Sequence, residues 1–319
     1  MLQRLRIGLA IAVLSCFGCG LGQHVHIDIN GSGSSGSDAT VRVDANSSDT
    51  SVTVDANSAE FSGPAIVGTG TPKTEARTVS EIRSIAIGPA FDLHYAKGPE
   101  SSVRVTAQSN ILPHVVTTMD GTRLKVNFDA RVSTEGKVHV EIVSPHLEAL
   151  ELSGASAAKC EGLDENSLSL EISGASQAEL LGKSGDITPE VTGGSKLILT
   201  NFQAGAIRGE ISGSSILDDT GTATDVKLEI TGSSSASLGK LTAKKADVTL
   251  SGASQIQASG STDELAVECT GASTANLGGL VAQTGEATAS GASSATVNVV
   301  GTLTEDSTGM SNVNNQHGR

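Results

Sequence analysis

The chain has 319 residues, a formal net charge of −14 and an aromatic content of 2 %, with 37 glycines, no Trp and one tyrosine, Tyr95. So acidic a chain disfavours binding to nucleic-acid phosphates or anionic lipid headgroups by bulk electrostatics, and no nucleic-acid partner is expected. With almost no large aromatics to bury, the interior must be built from Val, Ile, Leu, Ala and small polar groups, which suits a narrow core of thin layers.

Residues 1–19 read as an export signal. Arg4 and Arg6 supply a basic start, and the apolar run 7–14 is too short to span a bilayer. The following Ser15-Cys16-Phe17-Gly18-Cys19-Gly20 resembles the bacterial lipoprotein signal, whose cysteine is lipidated and becomes the mature N-terminus. Gly18 and Gly20 favour Cys19 as that residue, although Cys16 sits oddly three positions before it. Cys16 is the alternative: Val13 and Ser15 fit, and Phe17 does not. An ordinary secretory signal with incidental cysteines is the plain rival reading. The lipoprotein reading implies a membrane partner reached through a lipid anchor, and a place at the cell envelope: outer membrane, periplasm or cell surface. Loss of Arg4 and Arg6 takes the formal charge from −14 to −16.

Residues 20–65 form a low-complexity linker of Ser, Gly, Asp, Asn and Thr, with GSGSSGSD at 31–38 and VDANS repeated at an offset of 11 residues. The Val alternation in those two runs allows short strands, but a tether is the simpler reading. His24 and His26 are spaced to face one metal, and no third ligand accompanies them. Of the mature cysteines, Cys160 and Cys269 lie about six repeats apart, beyond disulfide reach. They read as two separate buried apolar residues.

From 66 to 145 the chain alternates strands with turns at Gly98-Pro99, Asp120-Gly121 and Glu135-Gly136. From 146 to 310 a repeat takes over. Gly-x-Ser recurs as Gly154/Ser156, Gly174/Ser176, Gly193/Ser195 and Gly213/Ser215, then as Gly232/Ser234, Gly252/Ser254, Gly271/Ser273 and Gly291/Ser293. The spacings alternate between 20 and 19 residues, and a weaker ninth copy starts at Gly309. Even positions around each Gly are small or apolar and odd ones mostly polar, the period-2 mark of a strand with one buried face. So short a unit cannot bury its own apolar face and must stack on its neighbours. The fold class is therefore all-β: a right-handed parallel β-helix or β-solenoid of about 20-residue repeats, in which these Gly and Ser residues have a structural role. The serines, stacked in one column, are expected to bond along it or to corner backbone groups, which would satisfy every hydroxyl in the tight interior. Residues 311–319 form a polar tail.

The alternating spacing leaves open whether one or two copies make a turn. A second glycine corner eight residues after the first (Gly162, Gly182, Gly221, Gly260, Gly279) favours one. The residue three before each Gly is Glu151, Glu171, Glu190, Glu210 and Glu229 in the first five copies. One copy per turn stacks these five in a single file, at up to about 1 kcal/mol per neighbouring pair in water-like dielectric.

The segment GTGTPKTEARTVSEIRSIAIGPAFDLHYAKGPESSVRVTAQSNILPHVVTTMDGTRLKVNF (68–128) followed by serial SGAS-type repeats resembles the GIN domain family, the head domain assigned to bacterial autotransporter adhesins. The matching pieces are the strand around Arg77, the Asn110-Ile111-Leu112 step, Asp120-Gly121 before a strand, and the tandem glycine corners. The resemblance covers about residues 66–310. It implies a right-handed β-helix-like fold without catalytic residues carried over, and an adhesive role by analogy.

No arrangement for chemistry stands against this. A β-helix enzyme acting on acidic sugars needs an Asp cluster with Arg or Lys on one face, commonly placing Ca²⁺. The only adjacent acidic pair among the repeats, Asp218-Asp219, reads as a solvated corner. A nucleophile elbow needs its Ser once, between strand and helix, whereas here the Ser recurs in every copy. His94, His114, His139 and His146 show no metal spacing, and the Glu file is at most a weak Ca²⁺ collector. No catalytic residue, cofactor or metal site is expected. The expected function is a non-enzymatic, envelope-anchored or surface protein presenting a β-solenoid for adhesion or scaffolding, toward a protein or glycan ligand. The alternatives are a carbohydrate-active or carbohydrate-binding β-helix protein and an envelope signalling accessory. An open end coil offers a route to self-association, which the polar tail opposes.

Overall fold

A computed structural model of the chain describes residues 64–134 and 136–317, together with the backbones of two short strands before them. The signal segment, Cys16, Cys19, His24 and the second VDANS run lie outside the described residues. The chain divides between Gly63 and Pro64. In the first unit His26–Ile29 pairs antiparallel with Val41–Asp44, so the stretch expected to be a plain linker holds a two-stranded ribbon whose second strand takes in the first two residues of the first VDANS run.

The second unit is a nearly all-β solenoid of about eight turns. Its only helical element among the described residues is a single 3-10 turn, Leu112–His114. One Gly-x-Ser copy makes one turn. Glu151 pairs with Glu171, Glu171 with Glu190, Glu190 with Glu210 and Glu210 with Glu229, so consecutive copies touch.

The corner explains the motif. Its glycines, from Gly154 to Gly309, all have φ between 73° and 79°, a region costly to residues that carry a Cβ. They also stack at close range: a Cβ on Gly174 would stand 2.5 Å from the Gly154 carbonyl oxygen, and one on Gly193 the same distance from that of Gly174. That approach allows a ladder of corner hydrogen bonds, in which Ala175 N–H donates to Gly154 O at 2.6 Å and Gly194 N–H to Gly174 O at 2.7 Å. The serine two residues on turns inward, and all eight are at most 2 % exposed.

The serine column is less uniform than its sequence. In mid-solenoid each serine oxygen accepts from the backbone of the previous one: Ser176 N–H donates to Ser195 Oγ, Ser195 N–H to Ser215 Oγ and Ser215 N–H to Ser234 Oγ. The Ser254 and Ser293 hydroxyls donate instead to the carbonyls of Ile230 and Cys269. Ser156, first in the column, has no repeat serine before it. It bonds to corner backbone groups, as expected of the column, but at a corner outside the repeats: its hydroxyl donates to Gly88 O and accepts from Phe91 N–H. Ser273 contradicts the expectation that every hydroxyl is satisfied. It is 1 % exposed, and its Oγ has no oxygen or nitrogen partner among the described residues; the same holds for Ser176. The Cys269 thiol four residues earlier is the group it lies against, and contact with Ser273 draws the thiol pKa down against the larger effect of burial. A buried hydroxyl left so weakly engaged costs about 1–3 kcal/mol. At Ser176 and Ser273 the serine is therefore kept for its size in a tight column, and elsewhere for its hydrogen bonds as well.

The 20/19 alternation has a packing cause. Each 20-residue coil spends its extra residue on a kink that turns a large side chain into the core: Leu163, Phe202, Leu241 and Leu280, all at most 2 % exposed. In three of the four the preceding residue takes positive φ (Gly162, Asn201, Lys240). Each 19-residue coil answers with a glycine, and a Cβ there would collide with the large residue's own carbonyl: Gly182 on Leu163, Gly221 on Phe202, Gly260 on Leu241. Large and absent side chains therefore alternate up this column, so the repeating unit is two coils although the turn is one. Phe202→Ala is expected to lose about 3–5 kcal/mol by leaving a cavity between two coils; a denaturant melt showing a loss below about 1 kcal/mol would contradict this packing.

The solenoid also begins before the Gly-x-Ser repeats. Ser84–Ile87 and Phe91–Lys97 form a coil against Ala149–Leu152 and the start of Ala157–Ile172. Its corner is Pro89-Ala90, with Ala90 at φ 66°, so the motif is missing while the geometry is kept. The bonds from Ser156 to Gly88 and Phe91 clasp this corner from both sides. Strands Arg123–Phe128 and Val138–Ser144 lie on the other side of that coil, parallel to it. The chain thus lays its second coil first, turns back to form the outermost one, and then continues into the repeats. Antiparallel strands Val115–Asp120, Ser102–Gln108 and Pro72–Arg77 flank this end. The pieces behind the family resemblance meet here: Arg77 donates to the Leu112 and Val115 carbonyls at the 3-10 turn, while Asn110 clasps Val67 O and Thr69 N–H.

At the other end the tail expected from 311 is part of the fold. Asn312–Asn315 pairs with the coil before it, and the Asn315 amide bonds both Val299 N–H and Val299 O. Below it, Glu305 pairs with buried Ala287, which puts a carboxylate in the register of a core column. Exposed as it is, a charge on this end rung discourages further stacking.

Candidate functional site

The solenoid presents its chemistry as outward columns, one residue per coil. On the strands leading into the first five Gly corners lie the five stacked glutamates. Beside them Arg208 pairs in register with Lys227, and Lys227 with Asp247. Between the two columns runs an open groove of about 460 Å³, walled by Glu190, Glu210 and Glu229 on one side and Arg208 and Lys227 on the other. Beneath it Gly209 lies on the inward column, where a Cβ would stand 2.2 Å from Pro189 O and run into the Pro189 ring. The two cations relieve the like-charge file from the side, and Arg123 pairs with Glu151 at its N-terminal end.

The strand after each corner differs. Ser237, Gln257, Asn276, Thr296 and Asn314 stack in one column of the last five coils. The neighbouring column is uncharged as well. Over the whole stretch 146–317, 21 Asp or Glu oppose 8 Lys or Arg, a net −13, so a charge-free face here is a local exception.

The four histidines read singly in the sequence, two on strands, one in the 3-10 turn and one in a loop, each meet a carboxylate: His94 with Glu161, His139 with Asp92, His114 with Asp129 and His146 with Glu165, at 2.9–3.1 Å. Lys159 and His94 together hold the Glu161 carboxyl below its ordinary range. Glu165 is the unusual member, because its side chain is only 5 % exposed and it is held by both Lys97 (2.9 Å) and His146. Nearby, Tyr95 Oη donates to Ser144 O, and burial pushes its pKa to about 12. Sequence reading missed Glu165, whose column continues as Ser184 and Ala204 and so gives no periodic signal. Among the described residues no group of three or more His, Cys, Asp or Glu is placed to hold a metal.

Asp219 corrects the reading of Asp218-Asp219 as a solvated corner. It is 3 % exposed and occupies an inward column between Leu199 and Leu238. Its carboxylate accepts from Gly221 N–H at 2.7 Å, yet burial pushes its pKa up to about 6. The corner bends where this acceptor replaces a leucine, and no spacing in the sequence marks it. Cys160 and Cys269 are free and buried; burial pushes their thiols up to about 12 and about 11, which leaves both protonated at neutral pH.

None of the curated proteins matches the chain. Solved structures match the fold. A crystal structure described as a putative adhesin from Parabacteroides merdae aligns with TM-score 0.62 at 17 % identity, covering 79 % of this chain and 99 % of that one. One described as a putative lipid binding protein from Parabacteroides distasonis aligns with TM-score 0.58 at 17 % identity, covering the same shares. A third, described as a putative adhesin from Bacteroides fragilis, aligns with TM-score 0.52 at 15 % identity over 78 % and 99 %. Residues 82–256 and 206–316, which take in both the re-ordered first coils and the repeats, match the family described as "Putative auto-transporter adhesin, head GIN domain", and the chain belongs to that family.

Proposed function

We propose that the protein is a non-enzymatic adhesin of the bacterial cell envelope: a lipid anchor at Cys19, a polar tether and a β-solenoid whose outer faces meet the ligand. The observation that carries this reading is the division of labour within the repeat. Everything invariant in it, the corner glycines and inward serines, is spent on stacking. The variable outward columns form long, shallow faces of the kind solenoids use for binding. The residue types that resemble nucleophiles or acids support it too. The repeat serines from Ser156 to Ser293, both cysteines and Asp219 are buried, out of reach of a substrate. Family membership agrees with a surface adhesin-like role.

One structural relative is described as a lipid binding protein. Here the interior columns are filled by the chain's own side chains, so a lipid would have to lie on an outer face. The anchor is tested by intact-mass analysis of the mature protein from a membrane fraction, with Cys19→Ser and Cys16→Ser. A diacylglyceryl mass gain lost only in Cys19→Ser is the expected result. An unmodified mature chain would remove the anchor from this account.

A further inference from the structure

In the last five coils the strand after each corner carries two outward columns without a single charge. One is Ser237, Gln257, Asn276, Thr296 and Asn314; the other, two residues earlier, is Ser235, Gln255, Thr274, Ser294 and Asn312. Earlier coils on this same face carry Lys159, Glu179, Lys196 and Asp218, so the character of the face switches at Ser235. The opposite columns of the same late coils stay acidic with Asp247, Glu268 and Glu286. None of these ten side chains makes a hydrogen bond within the described residues, whereas residues just beyond them, Asn298 and Asn315, do. The face is a two-dimensional lattice of unengaged hydroxyls and amides. It repeats every ~4.8 Å along the solenoid and about 7 Å across it.

We infer that this face binds a neutral, extended polysaccharide lying along the solenoid axis, which makes it the ligand face of the adhesin proposed above. Three considerations select this occupant. Hydroxyls and amides that both donate and accept suit the hydroxyl groups of sugars, and a linear chain of pyranoses offers them at regular intervals. Charge complementarity selects a neutral chain: the patch is uncharged within a stretch of net −13, which repels polyuronates, nucleic acids and anionic lipids. Area argues against a second copy of the protein. Five rungs by two columns offer about 340 Å², well below the ~800 Å² per partner of a stable protein interface. Without aromatic rings to stack on sugars each contact is weak, so binding comes from several rungs engaging one polysaccharide chain at once.

The test is affinity electrophoresis of the mature full-length protein in native gels containing hydroxyethylcellulose, glucomannan or polygalacturonate. Retardation by a neutral polysaccharide and not by polygalacturonate is expected. Gln257→Glu with Asn276→Asp, close in shape but charged, should abolish it, while Glu210→Gln on the acidic face should leave it intact. Thermal melts of the variants check that the fold is kept, since both substitutions are exposed. Retardation that survives Gln257→Glu/Asn276→Asp, or none in either neutral gel, would overturn the inference. The same variant on protein-coated beads separates it from the broader reading: beads that adhere equally well with or without the two charges would sink the glycan face and leave the adhesin standing.

Discussion

Gly213→Ala is expected to destabilise the solenoid by about 2–5 kcal/mol, while Gly121→Ala costs only about 1–2 kcal/mol. The comparison separates two reasons for a glycine. Both positions have positive φ, 77° at Gly213 and 63° at Gly121. A Cβ at Gly121 meets nothing within 4 Å, whereas one at Gly213 would stand 2.5 Å from the Gly193 carbonyl oxygen. The excess at Gly213 therefore measures the stacking contact alone. Because each coil touches only its neighbours, the defect should also uncouple the solenoid on its two sides and split one denaturant transition into two. Urea melts followed by circular dichroism check both points. Equal losses at the two glycines would show that corner stacking contributes little.

The second large effect concerns Asp219. Its folded-state pKa is raised to about 6 from 3.8, so folding favours the protonated acid. The stability this group offers is complete below about pH 4 and is lost as the pH rises through about 6. At neutral pH the buried carboxylate therefore costs up to about 3 kcal/mol. Asp219→Asn keeps an acceptor for Gly221 N–H and carries no charge. The variant should be more stable than the parent by about 1–3 kcal/mol at about pH 7.5, and the advantage should vanish by about pH 4. Taking the difference between the two proteins at each pH cancels the titration of the surface carboxylates. A variant that is less stable near neutral pH, or an advantage that does not change with pH, would contradict the burial of an ionisable Asp219.

What could be read in the sequence was whatever repeats. Eight copies of Gly-x-Ser define a corner, a buried column and a rise, and the single file of Glu151 to Glu229 follows once one copy is one turn. The column's hydrogen bonds were not legible in the same way. Ser156 and Ser273 look identical in their motifs, yet one clasps a corner outside the repeats and the other is left facing a thiol. What decides between them lies outside the Gly-x-Ser triplet: the Pro89-Ala90 corner on the neighbouring coil before Ser156, and Cys269 in place of an aliphatic residue in the same copy beside Ser273. The two-coil period was visible as the 20/19 alternation, but its cause was not. Leu163 over Gly182 and Phe202 over Gly221 compensate each other through space, across coils, with no local signal. Features that occur once were hidden for the same reason. Pro89-Ala90 makes the corner without its motif, and the first coil is completed by strands from far along the chain. Glu165 and Asp219 each replace a small or apolar residue in a column and leave its periodicity otherwise intact. The four histidines looked solitary because their carboxylates lie on neighbouring coils or strands. The two neutral columns passed unnoticed as well, since Ser, Thr, Asn and Gln at outward positions look ordinary until the register lines them up on one face.

Adhesion itself is the most direct thing to measure. Beads bearing the mature full-length protein, oriented through Cys19, are flowed over sibling cells and over a polysaccharide-coated surface, beside beads bearing an unrelated protein of equal net charge. The account predicts retention of the solenoid-coated beads above that reference and release by soluble neutral polysaccharide. Retention no greater than the reference on both surfaces would contradict the adhesive role.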